Sequence, residues 1–136
     1  SIVESQLGGC VIQEHWLPLA GRGPAGKSFN IYNSVTKQWE QYYVDARGTI
    51  THYTGAFRDG NLYLEADQFG TTNRIRMTFF NQGPTQVRQL GQLSSDDGFA
   101  SDDAGAAKLG EEREERGAQV VGSPRRRGGC IGRSWK

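Results

Sequence analysis

Histidine is the side chain whose charge changes nearest to neutral pH, and the chain has two, His15 and His52. Either could act as a general base, or orient the polar group of a ligand, if the fold turns it toward a cavity. Neither has the i, i+2 or i, i+4 partner spacing that makes metal binding specific. The pattern therefore predicts no metal site, and it leaves open a ligand-facing role or a hydrogen-bonded position on a mixed face.

Gln41 lies between Trp39 and Tyr43 in a strand-like segment, where alternate residues share a face. An amide among aromatic rings is the usual composition of a small-molecule pocket, because the rings supply apolar contact while the amide fixes orientation. A buried amide must also be hydrogen-bonded, so an internal bond to Tyr43, His52 or the backbone is the alternative. These three residues, with His15 and His52, form the predicted ligand-binding set.

Residues 21–28, GRGPAGKS, fit the phosphate-loop pattern G-x-x-x-x-G-K-[ST]. That loop binds phosphate because a helix begins directly after it and points its free N–H groups at the anion. Here FNIYNSVTKQW follows, which alternates, and Asn30 and Asn33 are poor helix formers. The pattern therefore predicts a strand that opens at Lys27, and the motif match is coincidental.

Other arrangements typical of enzymes are weak in this sequence. Glu14 and Asp45 could form a carboxylate pair for hydrolysis, but such a pair works only at a defined separation in the fold. The sequence contains neither a Gly-x-Ser-x-Gly elbow nor a Ser-His-Asp order. It therefore indicates no catalytic residue and no cofactor, and it favours binding over catalysis.

The positions of these residues depend on a two-residue hydrophobic period that runs from Ile2 to Leu93. Apolar residues that alternate with other neighbours in this way include Phe29 and Ile31, Trp39 and Tyr43, Leu62 and Leu64, and Ile75, Met77 and Phe79. Residues 58–61, RDGN, carry an Asp-Gly pair between two apolar runs, which is the strongest hairpin signal in the chain. The pattern predicts seven or eight short strands and no helix.

Connections this short cannot hold helical crossovers, so neighbouring strands must pair antiparallel. A long meander with one apolar face closes into a barrel or folds as a sandwich, and sequential hairpins favour the barrel. We therefore predict an all-β fold in which an antiparallel up-and-down meander forms a barrel.

The chain has 136 residues, enough for one domain, and a net charge of +1, which gives no reason to expect a polyanionic partner. Twelve of the fourteen aromatic residues precede Phe99. We therefore assign residues 1–98 to the barrel domain and residues 99–136 to a low-aromatic, charged, flexible and largely irregular tail. The SPRRRGG run in the tail lacks interleaved aromatic residues, so no nucleic-acid partner is expected.

The two cysteines lie in different predicted segments, Cys10 in the domain and Cys130 in the tail. Two free thiols are therefore expected rather than a disulfide. No apolar run is long enough to span a bilayer, and no secretory signal is visible. These observations identify no compartment.

Several motifs occur in order across residues 1–98: EHW at 14–16, GKSFNIY at 26–32, KQWEQYYVD at 37–45 and RIRMTF at 74–79. In these motifs the chain resembles an uncharacterised family of small bacterial lipocalin-like β-barrel proteins. The resemblance implies a calycin-type barrel with an interior cavity, and no known reaction. Family members usually have a strand before the position of Ser1 and a closing strand after SSDDG, where this chain has its tail. The resemblance thus implies an incompletely closed barrel with exposed strand edges.

Three functions are compatible with these observations. The favoured one is a module that binds a small, partly apolar ligand in the barrel cavity. The second is an enzyme that acts on a small molecule in the same cavity, with His15 or His52 as general base. The third is a protein that self-associates, as a homodimer, through open barrel edges.

Overall fold

A computed structural model describes residues 1–18, 23–67, 71–83 and 86–94 in full and residues 113–121 as backbone. These residues form nine strands: β1 (Ile2–Gln6), β2 (Val11–Trp16), β3 (Gly26–Asn33), β4 (Gln38–Asp45), β5 (Ile50–Arg58), β6 (Asn61–Asp67), β7 (Arg74–Asn81), β8 (Gln86–Ser94) and β9 (Arg113–Val121). Helical structure in these ranges is limited to a three-residue 3-10 turn, Leu7–Gly9. No helix in them has the length and apolar character needed to cross a membrane.

Strands β1 to β8 form one antiparallel meander in which each strand pairs with the next along the chain. The prediction of an all-β, up-and-down antiparallel meander is therefore confirmed. The meander curls into an incomplete barrel, and β9 lies between its two ends. The backbone of β9 pairs antiparallel with β8 and parallel with β1, which completes a ring of nine strands.

β9 falls within the segment that the sequence predicts to be a largely irregular tail. Its sequence, REERGAQVV, begins with four charged residues, so it lacks the apolar alternation by which the other strands are recognised. The other residues of 99–136 lie outside the described ranges. Because β9 pairs with the facing edges of β1 and β8, these edges are occupied and give no support to self-association through them.

The predicted Asp-Gly hairpin joins β5 and β6. Asp59 and Gly60 both adopt positive φ, 50° and 80°, which is the backbone of a type I′ turn. Glycine reaches this conformation without the Cβ clash that other residues meet there. Arg58 pairs with Asn61 directly across the turn, so the turn sets the register of the whole β5–β6 pair.

The apolar core lies on the inner face of β5 to β8. Its buried members are Tyr53, Leu62, Leu64, Ala66, Phe79 and Val87. Ile75 and Met77 pack against them, so the shared faces predicted for β6 and β7 are confirmed. The core therefore fills one side of the barrel, and the inner face of β2 to β4 has a different composition.

β3 runs against the usual rule that the apolar residues of a half-buried strand face the core. Ser28 and Asn30 are buried on the inner face, whereas Phe29 is 44% exposed on the outer face. The register with β4 explains this choice, because Ser28 pairs with Tyr43 and Asn30 pairs with Gln41, and both partners face inward. A shift of one residue would turn the whole strand over. The outcome is a polar inner face on this side of the barrel.

The phosphate-loop pattern has no helix after it. Lys27 and Ser28 belong to β3, as predicted, and residues 21 and 22 lie outside the described ranges. A phosphate loop needs the N-terminus of a following helix. The prediction of a strand at Lys27 is confirmed.

Cys10 is disulfide-bonded, so the prediction of a free thiol at this position is wrong. That prediction assumed that the tail stays apart from the barrel domain. Instead, β9 returns the chain to β1, next to the turn that holds Cys10. The chain's second cysteine, Cys130, lies outside the described ranges.

Candidate functional site

A group of four buried polar side chains lies on the inner face of three neighbouring strands. They are Glu14 on β2, Ser28 and Asn30 on β3, and Gln41 on β4, and we refer to them as the inner polar cluster. Strand register brings them together, because Glu14 pairs with Ser28 and Asn30 pairs with Gln41. Buried polar groups are expensive unless they are hydrogen-bonded, so the partners of each one are informative.

The hydroxyl of Ser28 is the centre of the inner polar cluster. It donates to Glu14 Oε2 at 3.3 Å, and it accepts from Asn30 Nδ2 and from Gln41 Nε2, each at 3.3 Å. Asn30 Nδ2 also donates to the carbonyl oxygen of Ile12 at 3.2 Å. An internal hydrogen bond, the alternative predicted for Gln41, is therefore present, and its partner is Ser28, which was not among the predicted partners.

One acceptor in the inner polar cluster is left over. Asn30 is 5% exposed, and its Oδ1 has no hydrogen-bond partner among the described residues. Leaving a buried acceptor unsatisfied costs about 1–3 kcal/mol. Gln89 Oε1, on the inner face of β8, is in the same state. The interior thus contains acceptor capacity that the described part of the chain does not use.

Glu14 is the carboxyl group of the inner polar cluster, and it is 4% exposed. Burial raises the pKa of Glu14, and this effect outweighs the hydrogen bonds from Ser1 Oγ and Ser28 Oγ and the charge of the Ser1 amino group, which lower it. No lysine or arginine of the described residues forms an ion pair with Glu14. The interior therefore favours the neutral form of this carboxyl.

Glu14→Gln is expected to stabilise the protein at alkaline pH and to have little effect in acid. The unfolded carboxyl loses its proton near 4.5 while the folded one keeps it, so wild-type stability falls as pH rises from 4.5 toward the raised pKa. The glutamine side chain has no such penalty. We expect the Tm at pH ~8 to rise by at least about 4 °C, and the Tm at pH ~4 to be unchanged.

Thermal unfolding of the variant and the wild type across this pH range measures the effect. Glu4→Gln is the control, because Glu4 lies on the outer face of β1 and is partly exposed. A Tm difference that does not depend on pH would contradict a buried, neutral Glu14.

Aromatic rings line the inner face beside the inner polar cluster. Trp39 packs against Phe57 with ring centres 6.2 Å apart and against Tyr32 edge to face at 5.9 Å. The Tyr43 ring lies directly over Gly26, where a Cβ would overlap it. Gln41 sits between Trp39 and Tyr43 on this face, so the structure brings these three predicted residues together.

Tyr53 continues this aromatic surface on β5. Burial raises the pKa of Tyr53 to about 12, and the neighbouring Tyr43 adds to the rise. Its phenol therefore stays protonated at neutral pH.

His52 lies on the outer face, because it precedes Tyr53, which faces inward. Its Nε2 is 3.1 Å from Glu40 Oε2, and its ring stacks on Tyr42 with centres 4.3 Å apart. Hydrogen bonds from Asn33 and then Tyr42 hold the pKa of Glu40 below its ordinary value, while burial opposes them. The bond to Glu40 in turn raises the pKa of Tyr42. His52 is thus engaged in an outer-face network.

His15 also lies on the outer face, since Glu14 before it points inward. Its Nε2 is 3.1 Å from Glu4 Oε2 on β1. The structure therefore does not bring His15 and His52 together with Trp39, Gln41 and Tyr43. A histidine acting as general base in the cavity has no support in this geometry.

The candidate carboxylates Glu14 and Asp45 do not form a pair with each other. Asp45 closes the turn after β4, where it accepts hydrogen bonds from the backbone of Thr49 and from the backbone and side chain of Arg47. Burial acts to raise the pKa of Asp45, but these hydrogen bonds and the Arg47 charge lower it overall. Asp45 is thus committed to its turn and not to Glu14. Among the described residues, no three His, Cys, Asp or Glu side chains are grouped to hold a metal ion.

These features define a class of protein: an all-β antiparallel barrel whose inner face is apolar on one side and polar and aromatic on the other. No family model matches the chain, and neither does any curated protein or solved structure. Its function is therefore inferred from its own geometry.

Proposed function

We propose that the protein binds a small, partly apolar molecule inside the barrel, between the inner polar cluster and the rings of Trp39 and Tyr43. The observation that carries this proposal is the buried Oδ1 of Asn30, which lacks a hydrogen-bond donor among the described residues. A ligand N–H or O–H at this atom would supply the hydrogen bond that the described residues leave unmade. The neighbouring rings would cover the apolar part of the same ligand.

We also propose that the protein is related to the lipocalin-like β-barrel family that its motifs resemble. The antiparallel meander agrees with that resemblance, and the EHW and GKSFNIY motifs provide Glu14, Ser28 and Asn30 of the inner polar cluster. A ligand inside the barrel fits both the motifs and the buried polar groups.

Native mass spectrometry of freshly purified protein tests the binding proposal. The wild type is expected to carry a small, discrete excess mass that disappears on denaturation. Asn30→Leu has nearly the same shape without Oδ1, so it should weaken retention by about tenfold or more. Gln89→Met is the matched control, because it removes an inner-face amide with a similarly unpaired oxygen on β8.

The two variants also distinguish binding from folding. Asn30→Leu removes the unsatisfied Oδ1 but also the Nδ2 donor to Ile12 O and Ser28 Oγ, so the free energy of unfolding should fall by no more than about 3 kcal/mol and the variant should still fold. A wild type that is bare in native conditions, or equal retention by wild type and Asn30→Leu, would contradict a ligand at Asn30.

A further inference from the structure

The inner polar cluster holds a carboxyl group that forms no ion pair with a lysine or arginine of the described residues. Glu14 bonds only to the hydroxyls of Ser1 and Ser28 in the hydrogen bonds described above. Among the fully described residues, lysine and arginine side chains lie on outer positions or in turns, and several are already paired. Arg74 and Arg76 bind Glu65, and Arg47 binds Asp45.

We propose that the ligand is a small organic cation, a primary or secondary ammonium attached to an apolar body, that pairs with Glu14 and donates to Asn30 Oδ1. This inference rests on the proposed function and specifies the class of molecule that the same interior takes. Acidic ligands are disfavoured, because no described basic side chain lies on the inner face to pair with their charge.

The geometry supplies the acceptors that an ammonium group needs. Both Glu14 Oε2 and Asn30 Nδ2 lie 3.3 Å from Ser28 Oγ, so the two side chains converge on one hydroxyl. A protonated amine has two or three N–H donors and no acceptor, which matches a carboxylate and an amide oxygen. The faces of Trp39 and Tyr43 add a negative surface that attracts cations.

Binding of an ammonium changes the protonation of Glu14, and the protons balance. In the free protein burial favours the neutral carboxyl of Glu14. When the ammonium R–NH3⁺ binds, the COOH group of Glu14 becomes COO⁻ and its proton is released to the solvent. Affinity should therefore rise with pH until Glu14 is ionised in the free protein as well, and it should fall once the amine loses its own proton, at pH ~10. The charged group facing Glu14 from the β1 side is the Ser1 amino group, whose influence is smaller than that of burial, and β3 contributes only the neutral Ser28 and Asn30.

Titration calorimetry of the whole chain with phenethylamine and with its neutral analogue phenethyl alcohol tests the inference. Phenethylamine is expected to bind with release of a proton, measured in two buffers of different ionisation enthalpy. Glu14→Gln should weaken it by at least about thirtyfold, as expected when one partner of a buried charge pair is removed. Glu4→Gln, the outer-face control, should leave the affinity for phenethylamine unchanged, and Glu14→Gln should weaken binding of phenethyl alcohol much less than binding of phenethylamine.

Each other outcome overturns the inference in a recognisable way. If the alcohol binds as well as the amine and Glu14→Gln affects neither, the interior binds neutral ligands and the proposed function stands. If neither probe binds but native mass spectrometry finds a neutral or acidic molecule retained through Asn30, the binding function again stands without the cation. If neither probe binds and the protein is bare, both proposals fail.

Discussion

Gly55→Ala is expected to lower the free energy of unfolding by about 3 kcal/mol or more, the upper range for inserting atoms into a well-packed site. Gly55 lies on β5 opposite Leu64 of β6. A Cβ at this position would overlap the carbonyl oxygen of Tyr63 and lie 2.9 Å from its carbonyl carbon and 3.0 Å from Leu64 Cα. These are backbone atoms of the neighbouring strand, so they cannot turn aside as a side chain can.

Urea unfolding followed by tryptophan fluorescence measures this loss. Gly91→Ala is the matched control, because its Cβ would lie 3.7 Å from the Sδ and Cε atoms of Met77, an ordinary contact with a flexible side chain. We expect Gly91→Ala to change the free energy of unfolding by less than about 0.5 kcal/mol. Equal effects of the two substitutions would show that Gly55 is farther from the backbone of β6 than these distances indicate.

Leu64→Ala is expected to cost about 2–5 kcal/mol, the range for deleting a large side chain from a closed core. Leu64 is 0% exposed and lies between Gly55 on β5 and Met77 on β7. Because Gly55 has no side chain to move into the space, the cavity left by the leucine cannot be filled from the directly opposite position on β5. A loss of this size is a large part of the total stability of a domain this small.

The control for Leu64→Ala removes an aliphatic side chain from the outside of the same domain. Ile50 is 71% exposed at the start of β5, so Ile50→Ala should change the free energy of unfolding by less than about 1 kcal/mol. If chemical unfolding found the two substitutions equally costly, Leu64 would not be at the centre of the core.

The meander could be predicted from sequence because local chemistry and long-range packing agree there. The Asp59-Gly60 pair requires the positive φ angles of a hairpin turn, and it sets the register that places Leu62 and Leu64 on one face. β9 could not be predicted in this way. Its charged first half carries no apolar period, and it becomes a strand by pairing with two strands that are distant in sequence.

The candidate site was only partly predictable, because the face of the sheet on which a residue lies depends on the register of its strand. Trp39, Gln41 and Tyr43 could be grouped since two large rings show which positions of β4 share a face. Ser28 and Asn30 were missed because polar residues next to Phe29 are normally expected outside. The NSVTK turn between β3 and β4 could have identified them: if Asn33 is taken to pair with Gln38 across this turn, Asn30 lies opposite Gln41 and on the same face.

The sequence of β5 alone does not show whether His52 lies on the inner or the outer face. The neighbours of Tyr53 on its face are Thr51 and Gly55, which give no apolar stripe to show which way the tyrosine points. The register with β4 decides it, because Gln41 pairs with Tyr53 and Tyr42 with His52.

The pairing of β9 with β1 has a consequence that follows from counting. Strands that alternate up and down close with antiparallel pairs throughout only when their number is even, and this ring has nine. One parallel seam is therefore unavoidable, and it falls between β1 and β9, where three residue pairs are formed. Parallel pairing is slightly less stable per residue than antiparallel pairing, so we expect this short seam to be the least stable strand pair of the barrel. Val3 lies at the seam and pairs on its other side with Glu14, so the parallel seam is one strand away from the buried carboxyl.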